Sequence, residues 1–185
     1  MERNLICAGF GGQGVMMIGT LLAFGTCNST DKHVTYFPSY GAEMRGGTAN
    51  CYVSISDEEI GAPVVDMADD LIIMNQPSLV RFLPKLKPGG NLFLNTSLVD
   101  PDVSRPDIRV IEAPVTEMAM DMGNAKILNI IMLGVYVGFT DILDKKVLLD
   151  AMNGKLGKRP DLLPLNYEAF EKGYSIGAAA KKDNP

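Results

Sequence analysis

The sequence predicts an α/β fold, a layered domain in which a mostly parallel, Rossmann-like β-sheet is flanked by helices. Short apolar runs alternate along the chain with segments of helical periodicity. The first apolar run ends in a glycine cluster directly before a helical segment, an arrangement typical of such folds. We find no linker and no internal repeat, so residues 1–185 are predicted to form a single domain.

The N-terminal half is predicted to contain strands at residues 5–8, 33–37 and 48–56, with a helix after Gly14. Pro38 should end the second strand, because proline has no backbone N–H to donate to a neighbouring strand. In the third strand apolar and polar residues alternate. This alternation predicts one buried face and one face that is exposed to solvent or covered by a partner.

The C-terminal half continues the alternation of strands and helices. Its longest helical segment is apolar on most sides in its second half, which predicts a central, buried helix. The small and polar residues after Ala178 predict a frayed tail. The predicted elements are strands at residues 70–74, 92–95 and 108–111, and helices at residues 77–86, 118–139, 145–152 and 166–172.

Composition excludes several classes of function. The net charge of −5 argues against nucleic-acid binding and against attachment to anionic membranes. Cys7, Cys27 and Cys51 form no C-x-x-C pair, so we predict no metal site, no disulfide framework and no four-cysteine iron–sulfur cluster within this chain. No signal peptide is evident, and no apolar segment reaches the about 20 residues that a bilayer requires, which predicts a cytoplasmic protein.

The first unusual motif is the glycine loop, residues 9–14, which satisfies G-x-G-x-x-G between a predicted strand and a predicted helix. A dinucleotide site also needs a carboxylate at the end of the second strand, and none is placed there. A P-loop would need Lys followed by Ser or Thr where Val15 and Met16 stand. Two interpretations remain open: an anion site at the helix N-terminus, or glycines that only permit tight packing.

The second unusual motif follows the second predicted strand. It contains a possible ion pair between Glu43 and Arg45 beside the adjacent Gly46 and Gly47. Because sites in parallel α/β sheets form beyond the carboxyl ends of strands, this loop and the glycine loop should share one edge of the sheet. That edge is predicted to be a binding site or an interface.

Four segments together resemble the gamma subunit of 2-oxoacid:ferredoxin oxidoreductases: GFGGQGV, PSYGAEMRGGTANC, GAPVVDMADDLIIMNQPSL and NIIMLG. The resemblance is greatest to chains of the 2-oxoglutarate or 2-oxoisovalerate type and smaller to the pyruvate type. It implies a cytoplasmic complex that converts a 2-oxoacid and coenzyme A into acyl-CoA and carbon dioxide, with ferredoxin as electron acceptor. It implies alpha, beta and delta partner subunits, and we also expect that the isolated chain can form a homodimer.

The resemblance further implies that thiamine diphosphate, Mg²⁺ and [4Fe-4S] clusters belong to other chains, so this subunit is not catalytic alone. It holds no cofactor firmly by itself, and no catalytic residue is predicted in it. Contacts to coenzyme A or to a neighbouring chain are predicted for Gly9, Gly11, Gly12, Gln13, Gly14, Ser39 and Arg45. Interface contacts are predicted for Tyr40, Glu43, Gly46 and Gly47.

Two alternatives remain beside this interpretation. A stand-alone NAD(P)-binding protein would bind nicotinamide as an isolated chain. A scaffold subunit with no ligand of its own would leave coenzyme A kinetics unchanged when the glycine loop is altered.

Overall fold

A computed structural model of the chain describes residues 2–40, 47–64, 66–157 and 159–183, with Tyr40 described by its backbone alone. Within these residues the strands are β1 (Glu2–Phe10), β2 (His33–Tyr40), β3 (Thr48–Ser56), β4 (Ala68–Ile73), β5 (Leu86–Asn95) and β6 (Arg109–Ala113). The α-helices are α1 (Val15–Ser29), α2 (Gln76–Phe82), α3 (Val115–Asp121), α4 (Leu128–Thr140), α5 (Lys145–Leu156) and α6 (Leu163–Asp183). Short 3₁₀ turns at Leu83–Lys85, Ala125–Ile127 and Pro160–Leu162 connect some of them.

The described strands form one six-stranded sheet in the order β2-β3-β1-β4-β5-β6. β1, β4, β5 and β6 are parallel to one another, whereas β3 runs antiparallel to both β1 and β2. The predicted α/β fold with a mostly parallel sheet is therefore confirmed. The strands β1, β4, β5 and β6 all end on the same side of the sheet, and we call this side the carboxyl edge. The opposite side is the amino edge.

The N-terminal strands differ from the prediction in two respects. β2 continues through Pro38 to Tyr40. It is the outermost strand on its side of the sheet, so the missing N–H of Pro38 need not interrupt the hydrogen bonds to β3. The polar face of β3 is buried within the chain, so the prediction of an exposed or partner-covered face is wrong. On that face, the Ser54 hydroxyl donates to Oδ1 of Asn4 on β1 at 2.6 Å, and Tyr52 joins an apolar cluster.

Helices cover both faces of the sheet unequally. On one face, α1 and α4 pack against every second residue of the strands, among them Leu5 and Cys7, in a large apolar cluster. On the other face α2 packs against Ile6 and Ala8 in a smaller cluster. Because successive strand residues point to opposite faces, the buried strands supply both clusters at once.

The predicted helix 118–139 is divided into α3 and α4. Gly123 adopts φ +79° just after α3 ends, a left-handed conformation that stops a helix. Every residue of α4 before Thr140 is buried, so the predicted central helix is confirmed in this part of the segment. Helix α6 runs to Asp183, so the segment after Ala178, for which we expected fraying, is helical over its described residues.

Helices α4 and α6 approach each other through glycines on both sides. An added methyl group on Gly173 would overlap the carbonyl oxygen of Ile131, and one on Gly134 would overlap that of Phe170. One turn further along each helix, a methyl group on Gly138 or Gly177 would likewise overlap the backbone of the facing helix. No described helix combines the length and the apolar character that a membrane crossing requires.

Candidate functional site

The glycine loop connects the end of β1 to the start of α1, and two of its glycines are required by packing. A side chain on Gly9 would lie 2.8 Å from the Cβ of Met74, and one on Gly14 would lie 2.6 Å from the Cγ of Asn129. Gly14 also has φ +73°, which side-chain-bearing residues seldom adopt. Gly9 and Gly14 therefore serve the close approach of the first strand and helix to their neighbours.

The two central glycines have a different environment. Gly12 has φ +103°, and no described atom lies within 4 Å of the place where its side chain would be. The corresponding position on Gly11 meets only the carbonyl oxygen of Gly47, at 3.8 Å. Among the described residues, packing accounts for neither glycine, and the space above them is open.

Gln13 uses both ends of its amide within the chain. Its Oε1 accepts the N–H of Phe10 at 2.6 Å, and its Nε2 donates to the carbonyl of Met74 at 3.0 Å. The side chain thus ties the loop after β1 to the end of β4. Gln13 holds the loop in shape.

The N-terminus of α1 faces this loop without a side-chain cap. Its first residue is preceded by the left-handed Gly14, and no acidic residue lies in its first turn. The N-terminal end of α4 lies beside it, because Asn129 Nδ2 donates to the carbonyl of Gly14 at 3.3 Å. The N-terminus of α1, whose amides have no side-chain cap, therefore favours an anionic group at this loop.

The sheet topology makes this place a crevice. The chain leaves β1 through α1 on one face of the sheet, and it leaves the adjacent parallel β4 through α2 on the other face. Ligands of open α/β sheets bind where neighbouring strands diverge in this way, outside the carboxyl ends of the strands. The glycine loop lies at this switch point.

Two asparagines at this edge are missing from the sequence-based prediction. Asn75 follows β4 and Asn95 ends β5, and each is buried with one amide atom unpartnered among the described residues, Nδ2 and Oδ1 respectively. Asn95 Nδ2 donates to Thr116 Oγ1 at 2.9 Å, which links β5 to α3. Each asparagine directly follows an apolar run, a signal that could have identified both.

Within the described residues, the loop after β2 meets the glycine loop, as predicted. The N–H of Gly11 donates to the carbonyl of Gly47 at 3.1 Å. Tyr40 pairs with Ala49, which in turn pairs with Gly9, so the ends of β2 and β1 lie at the same edge. Ser39 is half-buried one residue earlier. The predicted site residues Glu43, Arg45 and Gly46 lie outside the described residues.

This arrangement does not support dinucleotide binding. In a dinucleotide site the strand that carries the ribose-binding carboxylate lies next to β1 and parallel to it. Here the antiparallel β3 lies between β1 and β2, so the end of β2 lies two strand spacings, about 10 Å, from β1 instead of one.

The cysteines have no arrangement suited to a cluster or to nucleophilic chemistry. Cys7 and Cys51 are paired across β1 and β3 in the buried core, and Cys27 is exposed on α1. Burial, reinforced by Cys51, raises the pKa of the Cys7 thiol well above its ordinary value, which keeps it protonated. Across the described parts of the chain, no group of three His, Cys, Asp or Glu residues is arranged to hold a metal ion.

The family pattern described as pyruvate ferredoxin/flavodoxin oxidoreductase matches residues 4–176. Ketoisovalerate oxidoreductase subunit VorA of Methanothermobacter marburgensis is 38% identical over 174 residues, which cover 93% of this chain and 36% of that protein. This chain thus spans about a third of that relative.

Two solved structures share the fold. The gamma subunit of a keto/oxoacid ferredoxin oxidoreductase from Geobacter sulfurreducens matches with a TM-score of 0.83 and 26% identity, covering 96% of this chain and 99% of that chain. The 2-oxoglutarate:ferredoxin oxidoreductase of Magnetococcus marinus, with 2-oxoglutarate, coenzyme A and succinyl-CoA bound, matches with a TM-score of 0.87 and 25% identity. That match covers 96% of this chain and 31% of the other.

The family match extends over nearly the whole chain, and the structural match to a gamma subunit extends over nearly the whole of both chains. The resemblance found in the sequence motifs is thereby confirmed. The chain belongs to the pyruvate ferredoxin/flavodoxin oxidoreductase family.

Proposed function

We propose that this chain is the gamma subunit of a multi-subunit, thiamine-diphosphate-dependent 2-oxoacid:ferredoxin oxidoreductase. The complex would convert a 2-oxoacid, coenzyme A and oxidised ferredoxin into acyl-CoA, carbon dioxide and reduced ferredoxin. The observation that carries this proposal is the end-to-end structural match to the gamma subunit from Geobacter sulfurreducens. The partners would be alpha and beta subunits, a delta subunit and ferredoxin, in the cytoplasm.

The substrate type that we propose is 2-oxoisovalerate or 2-oxoglutarate. The first is supported by the 38% identity to a ketoisovalerate oxidoreductase subunit, and the second by the structural match to a 2-oxoglutarate enzyme. The complex would also need thiamine diphosphate, Mg²⁺ and iron–sulfur clusters. Two of the three cysteines of this chain are buried in the core, and Cys27 alone does not make a cluster site. Those groups would be held by the partner subunits.

The chain's own contribution, in this proposal, is to shape the approach of coenzyme A at the carboxyl edge. The amides at the uncapped N-terminus of α1 suit a phosphate of coenzyme A, whereas the N–H of Gln13 already donates to the carbonyl of Phe10. Gly11 and Gly12 leave room for it, while Gln13 holds the loop in position.

The adjoining loop completes the proposed arrangement. Ser39 and Arg45 would add polar contacts to the coenzyme, Arg45 because a guanidinium matches phosphate geometry. The residues proposed to contact a partner chain are Tyr40, Glu43, Gly46 and Gly47. Of these, Gly47 accepts the backbone N–H of Gly11 and so joins the second loop to the glycine loop.

Anaerobic recovery of the tagged chain from its native cells tests the assembly. Companion chains are identified, and viologen reduction is assayed with coenzyme A and 2-oxoglutarate, 2-oxoisovalerate or pyruvate in separate reactions. We expect thiamine-dependent partners and activity that is highest with one of the first two acids. Recovery of the chain alone, without oxoacid-dependent activity, would contradict the proposed complex.

A paired substitution tests the coenzyme A contact in the assembled complex. Gly12→Leu should raise the KM for coenzyme A at least tenfold, because the new side chain fills the open space above the loop. Gly89→Leu is the matched control: Gly89 has φ +76° and equally open surroundings but lies on β5 toward the amino edge. An unchanged KM in Gly12→Leu would favour the scaffold alternative, in which this chain has no ligand of its own.

A further inference from the structure

A second cleft lies at the amino edge of the sheet, on the side away from the glycine loop. Its volume is about 480 Å³, within the range of small-molecule sites. The cleft is formed where the first residues of β1 and β6 meet the last residues of α4 and α6. Its lining residues are Arg3, Asn91, Arg109, Phe139, Thr140, Lys181 and Lys182, and we call it the Arg3 cleft.

A buried polar network supports the floor of the Arg3 cleft. The carboxylate of Asp70 is fully buried and accepts Nε and Nη2 of Arg3 at 2.5 and 2.9 Å. It also accepts Nδ2 of Asn91 at 2.7 Å and the hydroxyl of Tyr136 at 3.1 Å. Burial raises the pKa of Tyr136, so its phenol stays protonated and remains a donor.

Stability alone does not explain this network. Removing charges from water is costly, and a well-packed apolar group in place of a buried ion pair is often equally stable. What the network does provide is orientation. Asp70 binds the Nε side of the guanidinium, and the Nη1 of Arg3 has no partner among the described residues, while the side chain remains 28% exposed at the cleft.

Three further cations line the cleft beside the uncharged Phe139 and Thr140. Arg109 and Lys182 are exposed and form no ion pair with any described residue, whereas Lys181 pairs with Asp141. Lysines in the last turn of α6 complement the helix dipole, which accounts for two of the four cations. The dipole accounts for neither arginine, since Arg3 and Arg109 lie on strands.

We propose that the Arg3 cleft binds a small organic anion through a carboxylate or phosphate group. The guanidinium of Arg3, held in place by Asp70, is the anchoring donor. Arg109 and Lys182 neutralise the remaining charge, and the ring of Phe139 forms an apolar wall for the rest of the ligand. The site is separate from the glycine loop and lies at the opposite edge of the sheet.

The test is a two-dimensional NMR titration of the full chain with inorganic phosphate and, in a separate arm, with acetate, against sodium chloride at equal ionic strength. We expect saturable shifts of the amides at residues 2–4, 109–110, 139–141 and 180–183 in at least one arm. The responding arm identifies the oxyanion. Shifts that chloride reproduces, or that do not saturate in either arm, would overturn the proposal.

Variants then assign the site to its residues. The double variant Arg109→Gln/Lys182→Gln changes only exposed side chains, so it should fold normally and weaken binding at least tenfold. Arg3→Lys keeps the charge but loses the paired geometry and should also weaken binding about tenfold. Lys126→Gln, at the opposite end of α4, is the matched control and should change affinity less than twofold. Equal affinity in the double variant and the control would refute the assignment.

Discussion

Two groups of glycines in this molecule differ in their surroundings. The contact of α4 with α6 contains Gly134 and Gly173, where an added methyl group would overlap the backbone of the facing helix. The glycine loop contains Gly11 and Gly12, where the same methyl group would meet no described atom closer than 3.8 Å. The first group brings two backbones together, and the second leaves a surface free.

This difference distinguishes glycines that stabilise the fold from glycines that leave room for binding. A glycine that lets helices touch is needed for the chain to fold as it does, because protein cores are close-packed and cannot absorb an extra carbon. A glycine beside open space is not required by the packing of its own chain. Gly12 is favoured by its left-handed backbone, whereas Gly11 has no such requirement and leaves room for another chain or a ligand. Substitutions to alanine can test whether the two groups behave in this way.

The largest effect is expected for Gly173→Ala. The new methyl group would overlap the carbonyl of Ile131 and lie 3.0 Å from the amide nitrogen of Val135, so the two helices must separate. We expect a loss of about 3 kcal/mol in the free energy of unfolding, typical of severe overpacking. Urea denaturation of the purified chain measures it.

The control for that experiment is Ser175→Ala on the same helix. Ser175 is exposed, so the substitution should change the free energy of unfolding by less than about 0.5 kcal/mol. A similarly small loss for Gly173→Ala would mean that α4 and α6 do not need their close contact.

An intermediate effect is expected for Gly14→Ala. The left-handed backbone disfavours alanine by about 1–2 kcal/mol, and the methyl group must also displace the side chain of Asn129. We therefore expect a loss of about 2 kcal/mol in the free energy of unfolding. In the background of Asn129→Ala the loss should be smaller, because the amide group is removed and only the Cβ of residue 129, at 2.9 Å, still stands in the way. An identical loss in both backgrounds would show that Asn129 is not the obstacle.

The smallest effect on stability is expected for Gly11→Ala. Among the described residues the methyl group would meet only a carbonyl oxygen at 3.8 Å, an ordinary contact, so the free energy of unfolding should change by less than about 0.5 kcal/mol. Urea denaturation under the same conditions measures it. A loss comparable to that of Gly14→Ala would show that the loop glycines are structural after all, and the comparison would fail.

Local patterns predicted much of the fold. The apolar runs before the glycine loop and before Asn75 identified β1 and β4, because buried strands must be apolar on both faces. The same reasoning failed at β3, where alternation suggested a solvent-facing side. The polar residues of β3 are buried against β1, as the hydrogen bond from Ser54 to Asn4 shows, and no local pattern reveals such a partner.

The candidate site was predicted in part. The motif itself identified the glycine loop, and the loop that ends at Gly47 was correctly expected at the same edge. The contribution of Asn75 and Asn95 was missed, because a single asparagine after an apolar run is also a common helix cap or turn residue. Asn75 does cap α2, since its Oδ1 accepts the N–H of Ser78 at 2.9 Å.

The sequence by itself determined the order of strands and helices, the position of the glycine loop and the resemblance to a family. These features depend on short-range spacing and on motifs, which a linear chain displays directly. Only the tertiary structure decided that β3 lies between β1 and β2, that glycines join α4 to α6, and that Asp70 holds Arg3 at the opposite edge. Each of these joins residues distant in sequence, and only the packed fold, which must satisfy buried polar groups and exclude empty space, brings them together.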